Sequence, residues 1–397
     1  MNILLITSLY PSRPDANPLE RTFALHDIAK YWSLEEKVLV IRPRYFYLSE
    51  MFGKNKKYHW REFRKRSFSL DGVTVIIYPV LKIPKVCYLY SFLLKYINRL
   101  KFNPDIVITH FDRSLEIGYR YTIKNNIPFI AGLHIAPDLM ESNPTAFNRR
   151  CGRILYAASA IACRSLYIYN KIKMWYPQYQ EKCFVAPSGI DEKLIRHKGF
   201  AVSKLSRWRN HGSSPVHILT VSILVKRKNI DTVLKALALL KDNINWQYTI
   251  IGEGEERSSL EALASHLGIA DRVAFKGAKS HRQVMEEMEQ SHIFVMVSHL
   301  ETFGLVYLEA LAAGNIVIGS SGEGIEGVME NGKSGFLSPA GEVEPLKNIL
   351  EKIILHLPAS ELENILTAGL DTVSRYTEKK VAQNYLNKLK SMRPGDN

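Results

Sequence analysis

Residues 297–314 read VSHLETFGLVYLEALAAG, and this stretch carries the most specific pattern of the chain. A buried strand that ends at Val297 and a helix that begins at Leu305 place Gly304 at the turn between them. Free backbone N–H groups at a helix N-terminus, together with the positive end of the helix dipole, attract phosphate. Glycine lets the backbone approach such a ligand closely because it has no Cβ. The stretch therefore predicts an anion site at the start of a helix.

Two glutamates of this stretch are separated by seven residues. Glu301 precedes the predicted helix and Glu309 lies about one turn inside it, so the two carboxylates point to different places. One carboxylate can reach a sugar, while the other can accept hydrogen bonds from a ribose diol. Two glutamates at this spacing are common on solvated helix surfaces, but the full string over residues 301–314, ETFGLVYLEALAAG, is far more specific.

Short apolar runs alternate with helical patterns along both halves of the chain. This alternation predicts an α/β protein with parallel sheets and helices on both faces. In the first half the candidate strands are Asn2–Thr7, Lys37–Ile41, Val73–Tyr78, Asp105–Thr109, Phe129–Gly132, Ala160–Cys163 and Lys182–Ala186. In the second half they are His217–Val221, Gln247–Ile251, Arg272–Lys276, Ile293–Val297 and Asn315–Ile318. Ligands of open α/β sheets bind at the carboxyl ends of the strands, so we expect the site there.

The alternation is lost over Leu194–Pro215, where Lys, Arg, Ser, Gly and His accumulate, and we expect a linker there. It would separate two Rossmann-like domains, residues 1–195 and 205–375, that face one central cleft. A last helix is predicted over Glu378–Met392, within a terminal segment of residues 376–397.

Several enzyme classes lack their signatures in this sequence. The first strand is not followed by G-x-G-x-x-G, and Gly252-Glu253-Gly254 has no third glycine at the required spacing, which disfavours a nicotinamide enzyme. P-loop, H-E-x-x-H, G-x-S-x-G and D-x-D patterns are missing as well. The four cysteines stand far apart and are expected to be reduced thiols. We therefore expect neither a metal site nor a bound cofactor.

The string over residues 301–314 resembles the E-x7-E motif of family 4 retaining glycosyltransferases, which have the GT-B fold. The resemblance implies that Glu301 contacts the donor sugar and that Glu309 binds the ribose of a nucleotide-sugar, typically a UDP- or GDP-sugar. It implies that the backbone of Phe303, Gly304 and Leu305 holds the sugar and the diphosphate. It also implies retention of anomeric configuration without a metal, and a C-terminal helix that crosses back to the first domain.

Two further positions match the family in part. Lys228 falls where the family has a lysine that binds the donor diphosphate, but the family's preceding arginine is replaced by Ile223. An isoleucine cannot bind an anion, so Lys226 or Arg227 would have to compensate. His134, in the stretch IPFIAGLHIAPD, resembles a family histidine that lies near the donor sugar and supports catalysis. A lone histidine after a strand is otherwise more often structural.

The first domain is expected to bind the acceptor and the second to bind the donor. In the loop after the first strand, Arg21 is a candidate ligand for an acceptor phosphate, but it can equally cap the helix that follows. Related enzymes often have a glycine turn in this loop, and this chain has none there.

The positive charge of the chain is concentrated in its first half. Residues 1–200 hold 31 Lys and Arg against 16 Asp and Glu, a net charge of +15, whereas the remainder of the +14 chain is close to neutral. Residues Lys54–Ser67 combine basic side chains with Tyr58, Trp60 and Phe63, as membrane-surface segments do. A solvated loop fits the same pattern, and nucleic acid is the less favoured partner. The N-terminal residues read as a strand rather than a signal peptide, and no apolar run is long enough to cross a membrane.

These observations predict a retaining hexosyltransferase of cell-surface polysaccharide or lipopolysaccharide synthesis. We expect it in the cytoplasm, at the inner face of the membrane, with a glycan or lipid-linked acceptor. The alternatives are a catalytically degenerate partner subunit, for which Ile223 argues, a sugar-nucleotide epimerase on the same architecture, and a membrane- or nucleic-acid-binding protein that uses the basic half.

Overall fold

The computed structural model of the protein describes residues 1–15, 23–47, 64–83, 87–88, 90–110, 114–134, 152–210 and 214–392. The chain divides into two compact units. Unit 1 comprises residues 1–164, 168–188 and 378–397, and unit 2 comprises residues 165–167 and 189–377. Each unit contains a mainly parallel sheet, which confirms the α/β class predicted from the alternation.

The sheet of unit 1 is built around apolar strands that are buried on both faces. Its strands are β1 (Asn2–Thr7), β2 (Lys37–Tyr47), β3 (Arg66–Leu70), β4 (Val73–Ile83), β5 (Cys87–Tyr88), β6 (Ile106–His110), β7 (Phe129–Leu133), β8 (Ala160–Cys163) and β9 (Cys183–Val185). Their order is β3-β4-β2-β1-β6-β7-β8-β9, with β5 beside β4. All neighbours are parallel except β3–β4 and β4–β5. The order reverses between β1 and β6, and such a switch point opens a crevice at the carboxyl ends of the strands.

The sheet of unit 2 is parallel throughout. Its strands are β10 (Val216–Val221), β11 (Trp246–Ile251), β12 (Val273–Phe275), β13 (Ile293–Val295), β14 (Ile316–Ser321) and β15 (Phe336–Pro339). Their order, β12-β11-β10-β13-β14-β15, is that of a dinucleotide-binding Rossmann sheet. The switch point lies between β10 and β13, which pair in the register Ile218↔Ile293.

The helices cover the faces of these two sheets. In chain order they are α1 (Ala24–Trp32), α2 (Tyr90–Arg99), α3 (Ser114–Asn125), α4 (Leu166–Trp175), α5 (Lys198–Asn210), α6 (Ile230–Ala238), α7 (Arg257–His266), α8 (His281–Gln290), α9 (Leu305–Ala312), α10 (Val343–Glu351), α11 (Ala359–Val373) and α12 (Glu378–Lys390).

The C-terminal helix α12 belongs to unit 1 and packs on α1. Trp32 is fully buried, and its indole N–H donates to the carbonyl oxygen of Ala382 at 2.9 Å. The ring of Tyr385 meets that of Trp32 edge to face, with centroids 5.0 Å apart. Lys30 adds an ion pair with Glu378 at 2.6 Å. A buried aromatic pair with a satisfied N–H fixes the position of α12 in this unit.

The prediction of a linker over Leu194–Pro215 is wrong. Residues Lys198–Asn210 form helix α5, which packs on α11. Leu205 and Trp208 are buried in the core of unit 2. The pattern was missed because few residues of α5 are apolar and because one of its charged residues, Lys204, is itself buried. The boundary between the units falls earlier, between Ser188 and Gly189.

Lys204 links helix α8 to the segment between α9 and β14 in unit 2. Its Nζ donates to the carbonyl oxygens of Met288 at 3.0 Å and Ala313 at 3.2 Å, and to Oδ1 of Asn315 at 3.1 Å. Burial lowers the pKa of Lys204 to about 7. A buried ammonium is tolerated here because each of its three protons has an oxygen acceptor.

Candidate active site

Lys228 and Glu301 lie at the switch point of unit 2, one after β10 and the other after β13. Lys228 ends a short 3₁₀ turn that begins at Lys226. Its Nζ lies 2.5 Å from Oε2 of Glu301, and the two side chains are only 10% and 13% exposed. The structure thus brings together the two residues that were predicted to meet the diphosphate and the sugar. Because the pair is mostly shielded from solvent, each charge depends on the other or on a ligand that replaces it.

The turn at Gly304 has the shape that the sequence predicted. Gly304 has φ +78° and forms the N-cap of α9, so it occupies the left-handed region that glycine adopts readily. A Cβ at this position would lie 2.5 Å from the ring of Tyr307. Tyr307 is fully buried, and its hydroxyl donates to the carbonyl oxygen of Met296 at 2.6 Å. The buried ring of Tyr307 therefore packs against the backbone at the start of α9 and fixes its position.

Glu309, predicted to bind a ribose, is paired with a histidine. Oε1 of Glu309 lies 2.9 Å from Nε2 of His281, the first residue of α8. Ser280 and Gln283 form a capping box that fixes this helix start. The hydrogen bond to the Glu309 carboxylate raises the pKa of His281 above its ordinary value. The sequence patterns did not identify His281.

Glu323 is a second residue that the sequence patterns missed. It is 7% exposed, and its two carboxylate oxygens accept hydrogen bonds from the backbone N–H groups of Leu300 at 3.0 Å and Glu301 at 2.8 Å. Leu300 has φ +56°, an unfavourable conformation for a leucine. The next residue, Gly324, donates to the carbonyl oxygen of Glu301 at 2.8 Å. Glu323 thus holds the strained turn that carries Glu301. The available sequence signal was its position between Gly322 and Gly324, just after the end of β14.

The position of the missing family arginine is occupied by an exposed side chain. Ile223 is 63% exposed. The turn Gly252–Gly254 packs directly against this loop, because a Cβ at Gly252 would lie 1.8 Å from the carbonyl oxygen of Ser222. Arg257 follows this turn, but its guanidinium already pairs with Glu253 and Glu261.

The two cations proposed to compensate for that arginine are both exposed. Lys226 lines a cavity of about 500 Å³ together with Asn229, Lys235, Glu256 and His299. This cavity is lined by both acidic and basic residues, so it has no clear preference for an anion.

In unit 1, His134 directly follows β7 and is partly exposed. Its Nε2 lies 2.7 Å from Nδ1 of His110, the last residue of β6. Burial and, to a smaller extent, the charge of Arg164 lower the pKa of both rings, to about 3 for His110. Two of the strands at the carboxyl edge of this sheet therefore end in neutral, hydrogen-bonded imidazoles.

The remaining predictions fall largely outside the described residues. Arg21 lies there, and so do residues 54–63 of the basic segment. The last residues of that segment enter β3, an edge strand that pairs antiparallel with β4. None of the helices in the described ranges is both long and apolar enough to span a membrane.

Two family models match successive parts of the chain. The model of "Glycosyltransferase Family 4" matches residues 53–194, and that of "Glycosyl transferases group 1" matches residues 205–364. The D-inositol 3-phosphate glycosyltransferase of Stackebrandtia nassauensis is 31% identical over 303 residues, which cover 71% of this chain and 67% of that protein. The chain belongs to glycosyltransferase family 4. The family resemblance of the E-x7-E string is thereby confirmed.

Other relatives match shorter parts of this family 4 chain. The lipopolysaccharide core biosynthesis glycosyltransferase LpsE of Rhizobium meliloti is 29% identical over 175 residues, 44% of this chain and 49% of LpsE. The amylovoran biosynthesis glycosyltransferase AmsK of Erwinia amylovora is 28% identical over 274 residues, 64% of this chain and 63% of AmsK. The match to N-acetyl-α-D-glucosaminyl L-malate synthase of Bacillus anthracis covers 39% of that relative. The chain thus spans about half the length, or less, of LpsE and the malate synthase.

Solved structures resemble the family 4 chain over nearly its whole length. HepE of Anabaena in complex with UDP superposes with a TM-score of 0.73 at 20% identity, covering 98% of this chain and all of HepE. The lipopolysaccharide outer core galactosyltransferase WaaB superposes with a TM-score of 0.69 at 17% identity, covering 98% of this chain and 99% of WaaB. The predicted GT-B fold is confirmed.

Proposed function

We propose that the protein is a retaining hexosyltransferase that moves a sugar from a nucleotide-sugar to a glycan or lipid-linked acceptor. The observation that carries this proposal is the grouping at one sheet edge of unit 2. There, Lys228, Glu301, the Gly304 turn and Glu309 stand around the switch point, with a cation and a helix N-terminus beside two carboxylates. Membership of family 4 and the UDP complexes of HepE support the same reading.

The donor diphosphate is proposed to displace Glu301 as the partner of Lys228. The ammonium then balances the negative charge of the diphosphate, which grows as the sugar leaves, and such electrostatic stabilisation is usually the largest contribution to catalysis. The freed Glu301 carboxylate accepts hydrogen bonds from the sugar hydroxyls. The backbone of Phe303, Gly304 and Leu305 binds the phosphates at the N-terminus of α9.

The ribose is proposed to bind at Glu309. Its carboxylate accepts hydrogen bonds from the two ribose hydroxyls, and His281 competes with them for one carboxylate oxygen at 2.9 Å. A UDP-sugar is the first donor to test, because HepE carries UDP and UDP-glucose in solved structures. GDP-sugars are the second choice, since a family relative in Mycobacterium tuberculosis is named as GDP-mannose-dependent.

Unit 1 is proposed to bind the acceptor, with His134 on the catalytic side and Arg21 as a ligand for an acceptor phosphate. In a front-face mechanism the acceptor hydroxyl attacks the anomeric carbon from the side of the departing diphosphate, and a phosphate oxygen takes the acceptor proton. This mechanism uses no separate general base and no metal ion. Glu301 then stabilises the positive charge that develops on the sugar, and His134 orients the sugar.

The acceptor is proposed to be a membrane-bound intermediate of polysaccharide or lipopolysaccharide synthesis. The net charge of +15 over residues 1–200 favours an anionic surface, and we place the enzyme at the inner face of the membrane. The names of LpsE and AmsK support this class of pathway.

A second candidate is a family 4 subunit that has lost catalysis. The exposed Ile223 favours it, because the leaving diphosphate meets one cation fewer than the family motif provides. Such a subunit would bind donor through Lys228 and Glu309 without turning it over.

A donor panel separates these candidates. Purified protein is screened by thermal shift against UDP- and GDP-sugars, and a ligand at 100-fold over its Kd should stabilise the fold by about 2.7 kcal/mol. The stabilising donor is then incubated with a membrane extract, and the anomeric configuration of the product is read by NMR. Transfer with retention supports the enzyme, binding without transfer supports the degenerate subunit, and conversion of the donor sugar without acceptor supports an epimerase. The absence of any shift would contradict both binding proposals.

A further inference from the structure

A chain of three side chains runs through unit 1 from helix α12 to His134. The hydroxyl of Tyr385 lies 3.3 Å from Nε2 of His110, and Nδ1 of His110 lies 2.7 Å from Nε2 of His134. The rings of the two histidines stand edge to face, with centroids 4.8 Å apart. Tyr385 and His110 are both 3% exposed, whereas His134 is partly exposed. The buried Tyr385 and His110 are therefore linked by hydrogen bonds to His134, which is accessible to a ligand.

Gly132 makes room for the middle ring of this chain. It pairs with His110 across β6 and β7, and a Cβ on Gly132 would lie 2.2 Å from Nδ1 of His110. Such a contact is far shorter than van der Waals distance, so the imidazole occupies the space that a side chain would fill. The position of the ring is thus set by the backbone of both strands.

Both imidazoles are neutral, because burial and the nearby guanidinium of Arg164 disfavour a further positive charge. A neutral imidazole carries one proton, so each ring donates through one nitrogen and accepts through the other. The three groups can therefore share their protons in only two ways.

The hydroxyl of Tyr385 decides between the two arrangements. Within the described residues, Nε2 of His110 is the only hydrogen-bond partner of this buried hydroxyl. If Tyr385 donates to His110, then Nδ1–H of His110 donates to Nε2 of His134, and every buried proton has an acceptor. In the reverse arrangement the phenolic proton would be buried without one, which costs about 1–3 kcal/mol.

We propose that Tyr385 and His110 are positioning residues that hold His134 as the neutral Nδ1–H tautomer. His134 then offers one fixed hydrogen-bond donor, Nδ1–H, and this nitrogen has no partner within the part of the chain that the structure describes. The C-terminal helix α12 contributes to the site through Tyr385, although that residue touches no substrate. The role of the donor in sugar transfer rests on the proposed function, while the tautomer itself does not.

The tautomer is measured directly by NMR. Protein labelled with ¹⁵N at histidine gives long-range ¹H–¹⁵N spectra that distinguish Nδ1–H from Nε2–H rings, and His134→Gln and His110→Asn assign the two signals. We expect His134 to be Nδ1–H at pH 7 in the wild type. His110→Leu should return it to Nε2–H, the form that free imidazole side chains prefer. An Nε2–H signal in the wild type, or an unchanged signal in His110→Leu, would overturn the proposal.

The effect of this positioning on kcat is tested with matched variants of His110 and Tyr385. His110→Asn places an amide N–H where Nδ1 was, so it should retain most of kcat, whereas His110→Leu should lower kcat about 10- to 100-fold with little change in the donor KM. Tyr385→Phe should lower kcat, because without the phenolic donor His110 can adopt either neutral tautomer. Tyr179→Phe is the control, because it removes a hydroxyl that donates to Gly152 elsewhere in unit 1. Equal kcat values for His110→Asn and His110→Leu would contradict a positioning role.

The two readouts keep this inference apart from the proposed function. A wild-type protein that has the Nδ1–H tautomer but transfers no sugar would contradict the proposed function and support the inference. An active protein with His134 in the Nε2–H form would do the opposite.

Discussion

Replacing Glu323 by glutamine tests whether the turn that carries Glu301 is held by a buried carboxylate. The carboxylate accepts from the backbone N–H groups of Leu300 and Glu301 at 3.0 and 2.8 Å. In Glu323→Gln one N–H keeps a neutral acceptor and the other faces an amide NH₂. Hydrogen bonds to a charged group contribute about 1.5–3 kcal/mol, and an unsatisfied buried N–H costs about 1–3 kcal/mol.

We therefore expect the turn to lose about 2–4 kcal/mol of local stabilisation, since a weakened bond and a lost bond act on adjacent residues. Leu300, at φ +56°, would relax once the restraint is removed. If the same stabilisation of about 2–4 kcal/mol is lost from the transition state, kcat/KM for sugar transfer falls about 30- to 1000-fold.

The assay is steady-state transfer with the donor found in the panel, accompanied by a thermal melt of each variant. Glu330→Gln is the matched control, because Glu330 is exposed and its one ion pair within the described ranges is with the exposed Lys333. A Glu323→Gln enzyme within threefold of wild type in kcat/KM, at unchanged donor affinity, would refute the positioning of Glu301 by Glu323.

Three further outcomes follow from the same contacts. Glu309 raises the pKa of His281, so lowering the pH through that pKa should protonate His281, strengthen its pair with Glu309 and weaken donor binding, because the ribose competes for the same carboxylate. In calorimetry the wild type should therefore bind donor more weakly at pH 5.5 than at pH 8, whereas His281→Asn should bind it equally at both. Ile223→Arg should restore a cation beside the diphosphate and raise kcat/KM about 10-fold, and an unchanged or lower rate would mean that the loop has adapted to the apolar side chain. The pKa of Lys204 is lowered to about 7, so the unfolded chain binds more protons than the folded one between that pH and about 10.4. The contribution of Lys204 to the free energy of unfolding therefore rises with pH in this window. In denaturant melts, the free energy of unfolding should increase less between pH 7 and pH 9.5 in Lys204→Met than in the wild type.

Local sequence patterns were sufficient for most strands of both sheets. The bounds of β1 and β8 are those predicted, because each is a short apolar run that ends at a clear break. The turn at Gly304 was also foreseen, since a glycine before a helical pattern has few other roles. The distance of 2.5 Å between Lys228 and Glu301 was not, because it depends on β10 and β13 being neighbours in the sheet.

The parts that sequence reasoning missed depend on contacts between distant segments. Glu323 acts on a backbone more than 20 residues away, through N–H groups that carry no sequence signal. His110 ends β6 and His134 directly follows β7, and only the strand register reveals that they meet. Lys204 made α5 look like a linker, because the oxygen atoms that allow its burial come from three other positions.

The proposed binding of a nucleotide-sugar at the switch point of unit 2 can be measured by calorimetry of UDP and of the preferred donor. Lys228→Ala should weaken binding about 10- to 100-fold, because the diphosphate loses a charge-assisted contact in a mostly buried site. Lys235→Ala should leave the affinity unchanged, since Lys235 is a half-buried lysine of α6 whose ammonium already pairs with Asp231 at 2.7 Å. Equal affinity of wild type and Lys228→Ala, or a loss confined to Lys235→Ala, would contradict donor binding at Lys228.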